Sequence, residues 1–446
     1  MNLVYNVKDR PSFWKTIIFA FQQLLAIMAA TIVVPVIING NTAGMPAASQ
    51  MSTTAALFGA GVGTLVYLLF TKFRSPVFLG SSFAFLGPMT AAFAGAISME
   101  VGYVGLILGA AMAGLVYVVL AIIIKIAGVK WISKLMPPVV IGPTVALIGL
   151  SLAGAAVNDL KVAPAGGSHY VAIICGLVTL AVTMLCSVYG KKTLKMIPFI
   201  IGILAGYLTA TIFTLIGGAT GNAALAVIDF SKFSTMQWIP DFTFVTAIKG
   251  IKDVDASYLA TIAVAYVPVA FVVFAEHIAD HKNLSSIIGT DLLEDPGLHR
   301  TLLGDGVGSM AGAIFGGCPN TTYGESVGCV AISGNASIVT ILTTAIMAIA
   351  ISFFAPFAAF LSTIPNCIMG GVCIALYGFI AVSGLKMIQQ VDLGQNRNLF
   401  VVSVILITGI GGLSLSFGKI TITNIACALI LGILTNILLK KRSDVE

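Results

Sequence analysis

Long apolar runs without charged residues recur along this chain, and they constrain its fold more than any other feature. The first extends from Ile17 to Ile38, too long for a signal-peptide core and without a small-residue cleavage site after it. We expect this run to be retained as the first membrane span. Charged residues make up 9% of the 446 residues, and the mean hydropathy is +1.04. A water-soluble fold cannot carry such a surface, so the sequence predicts an all-α polytopic membrane protein.

Charged and turn-rich breaks divide the chain into fourteen candidate spans, or two sets of seven. If the amino terminus is cytoplasmic, eighteen of the 23 Lys and Arg residues fall on the cytoplasmic side. This bias predicts a multi-pass protein of the cell membrane, inner or plasma, with both termini in the cytoplasm. The predicted spans start near residues 14, 52, 78, 103, 137, 170, 197, 257, 301, 321, 338, 364, 398 and 421.

The longest outside connection, residues 217–256, forms the natural seam between two halves, residues 12–216 and residues 257–440. It is richer in Asp, Ser and Thr than the spans and carries Trp238 at the expected membrane edge. Because each half contains an odd number of spans, the second half enters the membrane from the opposite side. Any structural similarity between the halves is therefore expected to be an inverted repeat.

Two of the predicted spans, the third in each half, have the composition of poor helices. Residues 76–88 read PVFLGSSFAFLGP, and residues 316–334 read GGCPNTTYGESVGCVAISG. Broken backbone is tolerated in a membrane only where it is buried in protein or lines a cavity. Paired broken segments in matching positions point to the binding site of a transporter. The alternative is a pair of kinked helices packed through small residues.

Only two of the seventeen acidic residues, Glu276 and Glu325, fall where the sequence otherwise reads as lipid-buried helix. Intramembrane carboxylates usually mark a substrate or ion site. Helical spacing places Asp280 one turn below Glu276 and His281 one turn below His277. Burial favours the protonated form of a carboxyl group, which makes Glu276 and Asp280 candidates for proton coupling, with both histidines as candidate shuttles. The alternative is a structural cluster at the membrane edge.

Glu325 lies in the second broken segment, just before the apolar stretch that is expected to resume as helix. Its carboxyl group is expected near the exposed N–H groups of a helix start. The alternative is that Glu325 only caps this half-helix. In the first broken segment, Phe83 and Phe85 have side chains suited to stacking on a planar ring, although such residues also serve packing. The seven cysteines show no metal-type spacing, and neither a metal site nor a cofactor is predicted.

Several separated motifs around these residues resemble a known family. They are FLGSSFAF at 78–85, AEHI at 275–278, DPGLHR at 295–300, PNTTYGE at 319–325 and MGGVCIALYG at 369–378. Together with WISKLMPPVVIGPTVALIGLSLAG at 131–154, they resemble the uracil permeases of the nucleobase-ascorbate transporter family, also called nucleobase:cation symporter family 2. The likeness extends from about residue 10 to residue 439. The family signature maps onto Glu325 to Gly334.

The resemblance implies fourteen segments in two inverted repeats, with segments 3 and 10 partly broken or extended. It implies a core domain from segments 1–4 and 8–11, and a gate domain from segments 5–7 and 12–14. The implied function is import of uracil by proton symport, with alternating access through movement of the core against the gate. The implied partners are uracil, protons, membrane lipid and a second copy of the chain, but not nucleic acid. No enzymatic activity is implied.

The resemblance also implies roles for individual residues. By position, Glu276 and Glu325 would hydrogen-bond the base, and Phe83 would contribute backbone and ring contacts. Uracil suits such a site because it presents two N–H donors and two carbonyl acceptors on a planar ring. The residues expected at the substrate are Glu276, Glu325, Phe83, Gly324, Tyr323 and Tyr377. The secondary candidates are Ser326, Ser82 and Gln23.

The sequence departs from the family pattern at several of these positions. Asp280 stands where the family can carry a histidine implicated in coupling. Ser326 and Ser333 replace the signature asparagine and threonine, and Gln22-Gln23 stands in place of a common Gln-His pair. The closest alternative function is transport of xanthine or urate by a purine-type member of the same family. A channel and an intramembrane enzyme fit less well, because neither a ring of like residues nor a nucleophile constellation is visible.

Overall fold

The computed structural model describes residues 3–128, 137–164, 166–191, 194, 197–236, 238–417, 420–422 and 424–439. The first half of the described chain contains α1 (Phe13–Asn41), α2 (Thr53–Phe70), β1 (Leu79–Ser81), α3 (Leu86–Ala94), α4 (Met99–Ala127), α5 (Pro138–Ser151), α6 (Ala153–Lys161), α7 (His169–Tyr189) and α8 (Pro198–Thr220). The second half contains α9 (Thr243–Gly250), α10 (Ala256–Ile288), α11 (Leu298–Gly316), β2 (Asn320–Thr322), α12 (Gly324–Ser333), α13 (Ile338–Ser352), α14 (Ala355–Thr363), α15 (Asn366–Ile388), α16 (Asn396–Ile410), β3 (Leu415–Phe417), β4 (Ile420–Ile422) and α17 (Asn424–Leu438).

The helical, apolar character predicted from composition is confirmed. Among the described residues, eight helical segments are long and apolar enough to cross a membrane, and a ninth is obtained if the bent pair α13 and α14 counts as one span. The angle between these two helices is 81°. Each of the fourteen predicted span starts lies within about four residues of the start of a helix or strand. The number of membrane crossings, fourteen, stays a prediction.

The helices pack in two groups. The first group consists of α1–α4 and α9–α14, and the second consists of α5–α8 and α15–α17. Helices α2 and α11 pack closely within the first group, as α5 and α15 do within the second. Contacts between the groups are made chiefly by α1 and α10. These two long helices therefore stand at the boundary where the two groups face each other.

The close approach of α2 to α11 explains the glycine-rich sequence of both helices. A Cβ atom at Gly59 would lie 2.4 Å from the carbonyl oxygen of Gly312, and one at Gly63 would lie 2.7 Å from that of Gly308. No side chain fits at such distances, so only glycine permits this helix crossing. Small residues serve the same purpose at helix contacts in membranes generally, where backbones approach closely.

The two segments predicted to be poor helices are indeed broken. Strand β1 pairs antiparallel with β2, with Gly80 opposite Thr321. The Leu79 N–H donates to Thr64 Oγ1 at 2.9 Å, and Asn320 Nδ2 donates to the Gly59 carbonyl at 3.1 Å. Extended backbone inside the membrane protein is thus hydrogen-bonded to the opposite strand and to α2. Helices α3 and α12 begin shortly after β1 and β2.

The predicted connection between the halves contains short helical turns at 223–225 and 230–235, followed by α9. Trp238 within it is 62% exposed. Several basic residues that carried the orientation argument lie outside the described residues, as does the start of the motif at 131–154. These residues are Lys130, Lys134, Lys192, Lys195, Lys419, Lys440, Lys441 and Arg442.

Candidate functional site

A central cavity of about 380 Å³ lies between the two helix groups. The second group contributes mostly apolar side chains from α5, α8 and α15, including Val145, Ile148, Phe199 and Phe379. The first group contributes nearly all of the polar surface. Six residues that the sequence analysis selected line this wall together: Phe83, Glu276, Asp280, Tyr323, Gly324 and Glu325.

Helix α10 supplies two carboxyl groups to the cavity. The helix is continuous from Ala256 to Ile288, and it presents Glu276 and Asp280 one turn apart. Asp280 Oδ2 accepts a hydrogen bond from Thr322 Oγ1 at 2.8 Å. No Lys or Arg within the described ranges forms an ion pair with Glu276, Asp280 or Glu325. Carboxyl groups in this setting are available to a ligand or a proton.

The second broken segment places Glu325 and Gly324 at the start of α12, facing the same cavity. Tyr323, the residue that precedes this helix, makes no side-chain capping bond to it. The first N–H groups of a helix have no intrahelical acceptor, and the helix dipole favours a carbonyl or a negative charge there. Glu325 and these N–H groups together offer an acceptor and donors within one helical turn.

A buried amide fixes the position of α12. Gln23 Nε2, on α1, donates to Ser326 Oγ at 2.5 Å, and the Phe78 N–H donates to the same oxygen at 3.0 Å. Neither Gln23 nor Ser326 lines the central cavity. Ser82 is also buried, and its hydroxyl has no partner among the described residues. The three secondary candidates therefore lie behind the cavity wall, where two of them hold the half-helix in place.

Tyr323 links the two broken segments. Its hydroxyl donates to the Ser81 carbonyl at 2.8 Å and lies 3.4 Å from Thr31 Oγ1. A Cβ atom at Gly80 would lie 2.3 Å from two carbons of the Tyr323 ring. The absence of a side chain at Gly80 is what allows the ring to lie across β1. Tyr323 thereby couples the position of β1 to that of Glu325, two residues along the chain.

Phe83 and Tyr377 meet at the boundary between the groups. Their ring centroids are 6.0 Å apart at an interplanar angle of 79°, an edge-on contact. Phe83 is half-buried and lines the cavity, whereas Tyr377 is 2% exposed and does not. Tyr377 therefore supports Phe83 from the second group rather than lining the space itself.

The two histidines of α10 face the protein interior, away from the cavity lining. His277 Nδ1 lies 2.7 Å from Asp305 Oδ2, and His281 Nε2 lies 2.7 Å from the Tyr67 hydroxyl. The rings of His277 and His281 stack at a centroid distance of 4.1 Å. They form a polar cluster between α10, α11 and α2, which is separate from the carboxyl groups at the cavity.

Besides Glu276 and Glu325, which the sequence assigned to buried helix, two further acidic residues lie in the interior of helices. Asp305 is 0% exposed in the middle of α11, and Asp280 lies within α10 beside the cavity. The sequence signal for Asp305 was present, because a lone acid stands between Gly304 and Gly306 inside a predicted span. The surrounding glycines made that segment look less like buried helix than it is.

Comparison with known proteins places these residues in context. The sequence profile of the permease family matches residues 14–416. The chain is 40% identical to the uracil permease of Bacillus caldolyticus over 98% of its own length and 95% of that protein. It is 37% identical to the uracil permease of Bacillus subtilis (strain 168), with 98% and 96% coverage, and 35% identical to that of Escherichia coli (strain K12), with 98% and 94% coverage.

Similarity to solved structures extends over the whole fold at low sequence identity. The transmembrane domain of a cyanobacterial bicarbonate transporter, BicA, superposes with a TM-score of 0.63 at 15% identity, covering 97% of this chain and 99% of that domain. Murine Slc26a9, an anion transporter in its inward-facing state, superposes with a TM-score of 0.65 at 11% identity, covering 97% of this chain and 69% of that one. At these identities the likeness establishes the fold alone.

Proposed function

Because this chain belongs to the permease family, we propose that it imports uracil across the cell membrane by proton symport. The observation that carries the proposal is the arrangement of Glu276 and Glu325 in one cavity. They reach it from different elements, α10 and α12, and no Lys or Arg of the described chain pairs with either. Relatives at 35–40% identity over nearly the whole chain are uracil permeases, which supports the choice of base.

The chemistry of the cavity suits a small neutral heterocycle. Uracil offers two N–H donors, which match the carboxyl oxygens of Glu276 and Glu325, and two carbonyl oxygens, which match the N–H groups at the start of α12. Phe83 supplies an aromatic face for the ring. Enclosure of such a ligand leaves few of its polar atoms unpaired, which is the main requirement for binding a polar molecule in a desolvated site.

The same carboxyl groups provide a route to proton coupling. Binding of a proton at Glu276 or Asp280 removes a charge from the cavity before the site moves through a low-dielectric region. The first helix group, with the polar wall, acts as the core, and the second acts as the gate. Alternating access then arises from movement of the core against the gate, in a fold of fourteen segments arranged as two inverted repeats. We also propose that the protein forms a homodimer and that both of its termini are cytoplasmic.

The direct test is uptake of radiolabelled uracil into proteoliposomes with an imposed inward proton gradient. Wild-type protein is compared with Glu276→Gln and Glu325→Gln, which preserve side-chain size and remove the charge. Glu294→Gln serves as the matched control, because Glu294 is exposed and outside the cavity. We expect accumulation by the wild type and by Glu294→Gln that a protonophore abolishes. We expect either cavity substitution to eliminate accumulation.

Competition and ion dependence separate the alternatives. An excess of unlabelled xanthine is expected to leave uracil uptake unchanged. Inhibition by xanthine, with transport of xanthine itself, would assign a purine-type substrate to the same site. Uptake that survives both cavity substitutions would contradict the two-carboxylate site, and accumulation that ignores the protonophore would contradict proton coupling. Recovery of unmodified uracil from the vesicles distinguishes transport from catalysis.

A further inference from the structure

A second cavity lies on the same boundary between the helix groups, across Phe83 from the central cavity. This outer cavity measures about 470 Å³ and extends from Phe83 along α3 to Ala94. Its facing wall comes from α5, from the loop after α16 and from the start of α17. Under the proposed orientation α3 runs towards the outside, so the outer cavity lies on the external side of the central one.

The two cavities share a thin wall. Of the residues that line them within the described chain, Phe83 and Ile148 are the two that occur in both linings. Phe83 belongs to the first helix group and Ile148, on α5, belongs to the second. Tyr377 contacts the Phe83 ring edge-on, with centroids 6.0 Å apart. A single layer of side chains therefore separates the central cavity from the outer cavity. It consists of Phe83 from the first helix group and Ile148 from the second.

The outer cavity is mostly apolar and uncharged. Five polar residues line it, namely Asn41, Thr90, Ser151, Ser414 and Asn424, and its described lining includes no charged side chain. Such walls offer hydrogen bonds to a neutral ligand but no compensation for an ion, whose desolvation is costly. The outer cavity has the size of ordinary small-molecule sites, which occupy about 300–1,000 Å³.

Thr90 brings an unpaired hydroxyl to the wall of the outer cavity. The residue lines the cavity, but its hydroxyl oxygen is buried and has no hydrogen-bond partner among the described residues. Rotation of the side chain to another staggered χ1 rotamer turns the hydroxyl towards the cavity. A buried polar group is nearly always paired with protein, water or ligand. An uncharged base with N–H and carbonyl groups on its rim is a suitable partner, because the Thr90 hydroxyl is both donor and acceptor.

We propose that the outer cavity is an access site for the same uncharged planar base, and that Phe83 and Ile148 form the barrier between this site and the central cavity. The inference rests on the proposed function, because it takes the transported base as the ligand. Base binds first in this uncharged cavity and passes the barrier when the two helix groups separate. Phe83 thereby belongs to both steps, since it closes the access site and faces the base in the central cavity.

The first test separates the access site from the central site. Initial rates of uracil uptake are measured over a range of external uracil concentrations for Thr90→Val and for the matched control Thr90→Ser. We expect Thr90→Val to raise KM about fivefold, the contribution of one neutral hydrogen bond, and to leave the maximal rate unchanged. Thr90→Ser keeps the hydroxyl and is expected to behave as wild type. Equilibrium binding of uracil to the detergent-solubilised protein is expected to be unchanged in both.

An unchanged KM in Thr90→Val would overturn the access site, as would an equal change in Thr90→Ser. Weakened equilibrium binding in Thr90→Val would also overturn it, because Thr90 would then act on the central site. If the wild type carries no uracil, the proposed function fails, and this outcome is visible before any variant is compared.

The second test addresses the barrier and does not require uracil. In a variant with all seven cysteines replaced, a single cysteine is introduced as Thr90→Cys or Ser383→Cys, since Ser383 lines the central cavity only. A charged, membrane-impermeant methanethiosulfonate reagent is applied to each side of the vesicles. We expect Thr90→Cys to react from outside and Ser383→Cys from inside. Addition of Ile148→Ala is expected to speed external labelling of Ser383→Cys at least tenfold.

Val145→Ala is the matched control for the barrier, because Val145 lies on the same helix and lines the central cavity only. We expect it to leave the sidedness of labelling unchanged. Equal acceleration by Val145→Ala, or no acceleration by Ile148→Ala, would overturn the assignment of the barrier. Reaction of Thr90→Cys from the inside would overturn the external position of the outer cavity. The uptake test with Thr90→Val uses the native cysteines and stands even if the cysteine-free variant does not fold.

Discussion

Gly80 occupies a position in β1 where the structure leaves no room for a side chain. A Cβ atom there would lie 2.3 Å from Cε2 and Cζ of Tyr323, whereas ordinary van der Waals contact begins at 3.4 Å. In Gly80→Ala the ring therefore has to retreat by about 1.1 Å, the difference between these two distances. The Tyr323 hydroxyl donates to the Ser81 carbonyl at 2.8 Å, and a retreat of this size breaks that bond.

The expected cost has two parts. Overpacking of a closely packed site costs about 1–3 kcal/mol, and the lost hydrogen bond adds about 1 kcal/mol. We therefore expect Gly80→Ala to lower the free energy of unfolding by about 2–4 kcal/mol. Tyr323 precedes Gly324 and Glu325, so its displacement moves the start of α12. A misplacement of about 1 Å in a positioning residue can cost about a hundredfold in function, and we expect uracil binding to weaken about ten- to hundredfold.

Uracil titration of the purified protein and its thermal unfolding in detergent together measure both effects. The control is Gly328→Ala, because a Cβ atom at Gly328 in α12 meets no heavy atom of the described residues within 4 Å. This substitution is expected to leave uracil binding unchanged. In a Tyr323→Ala background the clash is absent, and we expect Gly80→Ala to have no further effect on stability.

Two results would refute this reasoning. Wild-type affinity in a folded Gly80→Ala protein would show that the Tyr323 ring does not position the site. An equal loss of stability from Gly80→Ala with and without the Tyr323 ring would show that the cost arises from β1 itself rather than from the ring contact.

Two further substitutions test the residues behind the cavity. Asp305→Ala leaves His277 Nδ1 without its buried partner, and we expect the free energy of unfolding to fall by about 1–3 kcal/mol; an unchanged thermal midpoint in detergent would contradict the pairing. Gln23→Leu removes the 2.5 Å hydrogen bond to Ser326, and we expect about a fivefold loss in uracil affinity through displacement of α12. Gln22→Leu, on the same helix and without that bond, is expected to bind uracil as the wild type does in the same titration.

The elements that form the site could be predicted from the sequence, whereas the contacts between them could not. Proline, glycine and paired hydroxyl residues at 76–88 and 316–334 disfavour continuous helix, and both segments are broken in the structure. The pairing of β1 with β2 was not predictable, because each strand has three residues and no hydrophobic pattern sets their register. Pairing instead follows from the packing of α2 against α11, which fixes the distance between the two breaks.

The surroundings of the histidines illustrate a second limit. His277, Asp280 and His281 form a polar cluster in sequence, and hydropathy assigns such a cluster to a membrane edge. In α10, however, His277 and His281 lie on one helical face with Leu284, and all three are buried. Their partners come from other helices: Asp305 is on α11, 28 residues from His277, and Tyr67 is on α2, 214 residues from His281. Local periodicity identified the common face but contained no information about what that face contacts.

The pairing of β1 with β2 in the two broken segments also restricts how the cavity can open. The β1–β2 pairing satisfies backbone groups that would otherwise be unpaired inside the membrane, where each costs several kcal/mol. Separation of the two strands would expose these groups, and it would also break the bond between Tyr323 and Ser81. The polar wall that carries Glu276 and Glu325 is therefore expected to move as one body. The opposite wall is mostly apolar and can slide past without exposing unpaired backbone, so access to the cavity is expected to change there.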